Sequence, residues 1–296
     1  MRHVGTFSLV CLLRLTNPCA LFLSSSSTVL LATVIGVSVI QAVDASDATE
    51  KGTLSAGKLR SLGEVAMSER KFDEAASYYS QAIEVEPNVA SNYYKLYSVH
   101  KRMRSLNSAL NDITKAVELD GTKADWRIQK AKLLVNLGRC EEATLEYSEA
   151  GKLLAAGSGN EKKVQENSNA QQESDTCAQM TKSAMVAYQS EKWSEAVAHF
   201  NKVLSYTLDT PDLLYMKAQS EYHTKDYYGV VSDTGKILKN YPKHIEAYQL
   251  RGEAYTRLNE MEMAVKHFRE GLKMDPEHKG TSLVWIQVQE KSLVLI

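Results

Sequence analysis

Five histidines lie in the C-terminal half, His199, His223, His244, His267 and His278, and they are the first residues to test for acid–base work. A catalytic histidine needs a second group within hydrogen-bond reach to orient it. These five are spread singly through helical sequence and read as surface or groove residues. The paired carboxylates Glu141 and Glu142 stand beside a turn. They read as charges favoured at the positive end of a helix dipole. The chain contains no G-x-x-x-x-G-K-[ST], no G-x-S-x-G and no H-E-x-x-H, so phosphate-loop, serine-hydrolase and zinc-protease chemistry have no anchor. Of four cysteines, Cys11 and Cys19 sit in the leader and Cys140 and Cys177 in the body, with no C-x-x-C and no His/Cys cluster at metal spacing. Two readings stand open for the body pair: two unpaired helical thiols, or a disulfide in an oxidising compartment. The expectation is a protein without catalytic residues, cofactor or metal.

What remains is recognition. Met67, Tyr94, Ile128 and Val135 fall on one helical phase, interleaved with Arg60, Glu64, Ser91, Ser98, Lys101, Asp125 and Lys132. A broken apolar stripe with polar neighbours is a candidate groove for an exposed apolar peptide. The competing reading is packing between neighbouring helices.

The elements that must carry this stripe are helix–turn–helix units. The stretch Ile245 to His278 holds an aromatic at Tyr248, then Gly252 and Tyr255, then Ala264 with Phe268 four residues on, then Pro276. Val230 and Ala196 precede Ala264 at steps of 34 residues, and Ala75, Ala109 and Ala143 repeat the same step. Four residues after the latter three come Tyr79, Ile113 and Tyr147, and seven after come Ala82, Ala116 and Ala150. Pro87, Gly121, Pro242 and Pro276 stand where second helices end. This pattern resembles the tetratricopeptide repeat. It implies an all-α, right-handed solenoid of about six units in two triplets, over 56–156 and 177–278. Gly138 is placed to end the third unit's first helix, Pro211 to open a helix, and Asp73 to cap one. Between the triplets, 157–176 is polar and without proline, and both a flexible linker and a long polar capping helix are open. The tail 279–296 reads as a capping helix cut short.

Some proteins of this repeat class grip a C-terminal carboxylate with a cationic fork. The equivalent positions here hold Arg60, Glu64, Lys95, Asp125 and Gln129 in the first triplet. Glu64 and Asp125 would repel such a ligand. In the second triplet they hold Thr181, Met185, Met216, Glu246 and Leu250, with no cation.

Composition agrees with a folded helical chain: 296 residues, 44% hydrophobic, 24% charged, five prolines and a net charge of −1. No basic block suggests nucleic acid. The first 45 residues differ from the rest. Arg2, His3 and Arg14 are their only basic groups, no acidic residue precedes Asp44, and two apolar runs lead to Ala45. This reads as a secretory signal peptide over 1–45, with an uncleaved anchor or a transit peptide as rivals. Membrane contact is expected only if the leader stays uncleaved.

The leader, the two triplets, the polar insert and the phrases YYSQAIEVEPN, LNDITKAVELD and FREGLKMDPEHKG together resemble the DnaJ homolog subfamily C member 3 family of endoplasmic-reticulum co-chaperones. That resemblance covers about residues 56–280. It implies a protein of the endoplasmic-reticulum lumen whose first triplet binds unfolded or misfolded polypeptides, with Met67, Tyr94, Ile128 and Val135 as groove positions. The family also carries a third triplet and a J domain that engages luminal Hsp70. This sequence has no His-Pro-Asp motif and no K-D-E-L-type ending, so any link to Hsp70 is expected to be indirect, and the chain reads as a truncated sequence, a natural short form or a different luminal repeat protein. The alternative is a scaffold for one specific partner in the secretory pathway.

Overall fold

The computed structural model describes residues 54–157, 160–208 and 210–276. The signal peptide expected over 1–45 and the capping helix expected over 279–296 lie outside the described residues. Among the described residues twelve helices follow one another: α1 (Ala56–Ser68), α2 (Phe72–Val85), α3 (Ala90–Arg102), α4 (Leu106–Leu119), α5 (Ala124–Asn136), α6 (Cys140–Ala156), α7 (Glu161–Gln189), α8 (Trp193–Leu204), α9 (Pro211–His223), α10 (Tyr227–Asn240), α11 (Ile245–Arg257) and α12 (Met261–Met274). Each packs chiefly on the helix before it and the helix after it. The odd-numbered helix and its successor form one unit, and six units make an all-α tetratricopeptide solenoid.

The repeated small residues explain how the two helices of a unit close on each other. Ala75, Ala109, Ala143, Ala196, Val230 and Ala264 are all fully buried. A second set sets the fit. Six pairs sixteen residues apart, Gly63/Tyr79, Tyr97/Ile113, Ala131/Tyr147, Ala184/Phe200, Ala218/Thr234 and Gly252/Phe268, face each other across the units by sequence position and are all buried. Where the second helix carries an aromatic ring, the first carries Gly or Ala. A Cβ added at Gly63 would lie 2.5 Å from the Tyr79 ring, and one at Gly252 would lie 2.6 Å from Phe268. In the second unit the large residue moves to the first helix, as Tyr97, and its partner becomes Ile113.

All six intra-unit turns share one backbone conformation. Arg70, Arg104, Gly138, Glu191, Lys225 and Asn259 have positive φ, between 57° and 76°, and each lies five residues before its unit's small residue. The amide after each bonds back across the turn, as Lys71 N–H does to the Ala66 carbonyl (2.9 Å) and Ser105 N–H to the His100 carbonyl (2.9 Å). This is a Schellman-type ending. Gly138 fills the role expected of it. Pro211 opens α9 as expected. Asp73 does not cap α2. The cap position is Lys71, and Asp73 stands in the first turn, where its charge suits the dipole.

Between the triplets, helix is continuous from Glu161 to Gln189, 29 residues in all. The stretch left open between linker and capping helix is therefore helical from Glu161 onward, and position 177 lies inside that helix. Its N-terminal half runs antiparallel to α6. Asn167 Nδ2 donates to the Tyr147 carbonyl (2.9 Å) and Ser174 Oγ to the Cys140 carbonyl (2.9 Å). Cys140 and Cys177 are disulfide-bonded, with Cα atoms 5.8 Å apart. Val203, Met180, Tyr206 and Leu213 gather around the bond. The Leu208 amide donates to the Asn136 carbonyl (2.9 Å), and Gly138 lies against Thr210 and Leu213.

A left-handed conformation costs a side-chain-bearing residue roughly 1–2 kcal/mol, partly offset when glycine is substituted by about 0.5–1 kcal/mol of extra chain entropy. Arg104→Gly and Lys225→Gly should therefore each stabilise the protein by up to about 1 kcal/mol, read as a raised denaturation midpoint. Gly138→Ala should lower it.

Candidate functional site

The first helices of units one to three, α1, α3 and α5, carry the four groove positions. Met67 is half-buried against the cluster of Ala66, Ala75, Tyr79, Leu96 and Val99. Tyr94, Ile128 and Val135 are half-buried against a second cluster built on Tyr97, Ile113, Leu133, Leu134 and Tyr147. Three of the four thus share one apolar environment, and Met67 belongs to the neighbouring one. Each side chain is partly engaged in packing and partly left to solvent.

Tyr94 has a partner that its own helix does not supply. Its ring stacks on Trp126 of α5 with centroids 4.9 Å apart and planes 15° from parallel, and it leans on Tyr97 at 5.4 Å. Burial pushes the Tyr94 phenol up and holds that of Tyr97 at about 12, so both stay protonated. Trp126 was not among the groove positions read from sequence. Its 32-residue offset from Tyr94 is the available signal, because Tyr97 and Gln129 are linked across the same offset, the Tyr97 hydroxyl donating to Gln129 Oε1 (3.1 Å).

The charges beside this apolar surface are matched locally. Lys95 Nζ donates to Glu64 Oε1 (2.5 Å), Arg60 to Glu86 (2.5 Å) and to Asn92 (3.2 Å), Lys163 to Asp125 (3.1 Å), and Lys101 to Gln129 (2.8 Å). The Lys95 ammonium holds the Glu64 carboxyl below its usual range. Arg60 and Lys95, the two cations at the fork positions, are thus already bound to carboxylates of this chain. In the second triplet Leu250 is buried in an apolar cluster, and Met185 and Met216 pack beside another.

The histidines find separate uses. His244 Nδ1 accepts from the Ala247 amide at the start of α11 (3.3 Å), and His223 stacks on Trp193 at 4.1 Å. His267 departs from the expectation of a surface or groove residue. Its ring nitrogens are buried without hydrogen-bond partners among the described residues, and it lies parallel to Tyr255 at 5.3 Å. Burial, helped by the nearby Arg251 and Lys266 charges, lowers its pKa to about 4. Glu141 and Glu142 stand in the first turn of α6, and Glu142 is paired with Arg139. Among the described residues no group of three His, Cys, Asp or Glu side chains is placed to hold a metal.

Sequence reasoning also missed two ion-pair groups inside units, one half-buried and one buried. Lys130 and Arg127 both reach Glu146, at 2.7 and 2.9 Å. Lys217 reaches Glu221 and Asp233, all three buried. Lys130/Glu146 and Lys217/Asp233 are sixteen residues apart at equivalent repeat positions, a spacing visible in the sequence.

The fold defines a tetratricopeptide-repeat solenoid, and comparison with known proteins agrees. The family described as Tetratricopeptide repeat matches residues 61–89 and 245–278. The array resembles the repeat region of the DnaJ/P58IPK co-chaperones. It is 29% identical over 198 residues to the rice (Oryza sativa subsp. japonica) DnaJ protein P58IPK homolog B, covering 67% of this chain and 41% of the relative. It is 25% identical over 229 residues to the Homo sapiens DnaJ homolog subfamily C member 3, covering 77% of this chain and 45% of the relative. The chain thus spans less than half the length of these relatives. The crystal structure of the P58(IPK) TPR domain superposes with a TM-score of 0.68 at 22% identity, covering 81% of this chain and 66% of that one.

Two predictions follow from the ring contacts. A double-mutant cycle on Tyr94→Leu and Trp126→Leu, read by chemical denaturation, should return a coupling of about 0.5–1.5 kcal/mol. His267 is neutral in the folded chain and ordinary in the unfolded one, so the unfolded state binds the extra proton between its usual pKa and about 4. Stability should fall as pH drops through that window, and His267→Phe should flatten the dependence in thermal melts.

Proposed function

We propose that this chain is a co-chaperone-type adaptor that holds apolar segments of unfolded or misfolded proteins in the groove of its first triplet, in the lumen of the endoplasmic reticulum. The observation that carries the reading is the half-buried set Tyr94, Ile128 and Val135 on one cluster, with Met67 on the next. An apolar segment laid there would complete a partly covered surface. The local ion pairs favour the same class of ligand, because Arg60 and Lys95 are already matched to carboxylates. The Cys140–Cys177 disulfide supports an oxidising compartment. The printed names of the relatives, DnaJ proteins, supply the co-chaperone context. Binding would be reversible, by a preformed surface, without covalent chemistry. Transfer of clients to a luminal Hsp70 would require a J domain on another polypeptide or in sequence beyond this chain.

The purified protein should suppress aggregation of several unrelated denatured clients. Tyr94→Glu with Ile128→Glu should abolish that suppression, with helicity and melting monitored in parallel. Because both residues also pack on the core, Lys132→Glu, an exposed neighbour on the same helix as Ile128, serves as a second variant and should weaken capture of acidic clients more than basic ones. Suppression undiminished by the double substitution in a folded protein would rule the groove out. One stoichiometric partner with no general suppression would instead support a dedicated scaffold.

A further inference from the structure

A second interaction surface emerges from the repeat itself. Ten residues before each unit's small residue, the first helix carries Val65, Val99, Leu133, Val186, Ser220 and Ala254. Val99, Leu133, Ser220 and Ala254 are buried, whereas Val65 is 54% exposed and Val186 55% exposed. The buried members show what covers this position. Val99 shares its cluster with Phe72 and Ala76 of α2. Leu133 shares its own with Leu106 and Leu110 of α4, and Ala254 with Tyr227 and Val231 of α10. In each case the cover comes from the preceding unit's second helix, at two positions four residues apart near its start, one face of a helix.

For the fourth unit the preceding second helix is α6, and the residue at the first covering position is Cys140. It is bonded to Cys177, nine residues before Val186. At 1.5 Å per residue, Val186 lies about 13 Å further along α7 than that bond. The helix that should cover Val186 therefore begins too early on α7 to reach it. A shallow depression lined by Lys182, Ser183, Val186, Ser190, Lys192 and His199 marks the vacated place.

The charge pattern is unfinished in the same place. Lys182 occupies the repeat position of Lys95, which pairs with Glu64 on the preceding unit. Lys182 itself makes no ion pair among the described residues, while Lys192 is matched to Glu195. Val65 at the start of the array lacks this second feature, because Ser61 stands where Lys95 and Lys182 do.

We propose that the flank of α7 around Lys182 and Val186 docks an amphipathic helical segment of another polypeptide. That segment would place apolar side chains four residues apart over Val186, as units two, three and six do internally, and a carboxylate against Lys182, as Glu64 does for Lys95 in unit two. The site is separate from the first-triplet groove and takes a partner with helical structure rather than an extended unfolded chain.

The chain contains its own probe. A fluorescent synthetic peptide of residues 55–86 carries Glu64, Phe72 and Ala76, the groups that face Lys95 and Val99. Titrated with the whole protein, it should bind saturably at one site per chain. Val186→Asp and Lys182→Glu should each weaken binding by about tenfold or more, and both side chains are exposed, so helicity and melting should be unchanged. Raising salt from about 0.05 to 0.5 M should weaken wild-type binding and leave Lys182→Gln nearly indifferent. Absence of binding, binding insensitive to both substitutions, or loss of binding on Val65→Asp instead would overturn the proposal. So would a wild-type homodimer that Val186→Asp dissociates, since the occupant would then be a second copy.

Discussion

Everything in this protein depends on how closely two helices of a unit can approach. That distance is set by the pairs sixteen residues apart. Gly63 and Gly252 admit the rings of Tyr79 and Phe268 to within a distance no added Cβ would tolerate, and the small buried residues Ala131 and Ala184 stand opposite Tyr147 and Phe200. Overfilling such a contact costs about 1–3 kcal/mol. A hairpin closed in this way still leaves apolar side chains on its flank, and only the next unit can cover them. Val99, Leu133 and Ala254 record that second layer of burial.

The face that carries the candidate groove positions is a by-product of the same geometry. Stacking the units brings α1, α3 and α5 onto one side, where Tyr94 meets Trp126 and Lys95 meets Glu64. Exposed ion pairs of this kind contribute about 0–1 kcal/mol each, so their weight for stability is small. Their effect on recognition is larger, because a cation already facing a carboxylate offers less to an incoming anion. Among the described residues the apolar side chains have no such internal partner across their exposed half. On the proposed reading, the balance between them favours apolar segments over acidic ends.

The architecture was legible because small residues repeat at 34-residue steps and their partners at fixed offsets. Gly138 was legible because glycine advertises positive φ. Arg70, Arg104, Glu191 and Lys225 adopt the same conformation without that advertisement, held by the turn's cross-bonds and by packing on either side. The insert between triplets was ambiguous for a physical reason. Its buried face includes Asn167 and Ser174, which bond to α6 carbonyls, so the helical periodicity is written in polar residues and an apolar count does not see it. Lys217 and Asp233 escaped for the converse reason, since a charged type gives no sign of burial and here both lie inside; His267, read as a surface or groove residue, has both ring nitrogens buried. In the groove, the four apolar positions were read from helical phase alone. Trp126 was missed because its contact to Tyr94 crosses between units.

The departure from regularity is informative in the same terms. The step between Ala143 and Ala196 is 53 residues rather than 34, and the excess is accommodated by extending α7 rather than by looping out. Asn167, Ser174 and Cys177 then bind α6 along the added half of the helix. A disulfide at a separation of 37 residues restricts the unfolded chain by about 3–4 kcal/mol on the loop-entropy account, so this arrangement is held firmly. The consequence is unavoidable. With Asn167, Ser174 and Cys177 holding the added half of α7 against α6, the start of α6 lies beside Cys177 rather than over Val186, which stays 55% exposed.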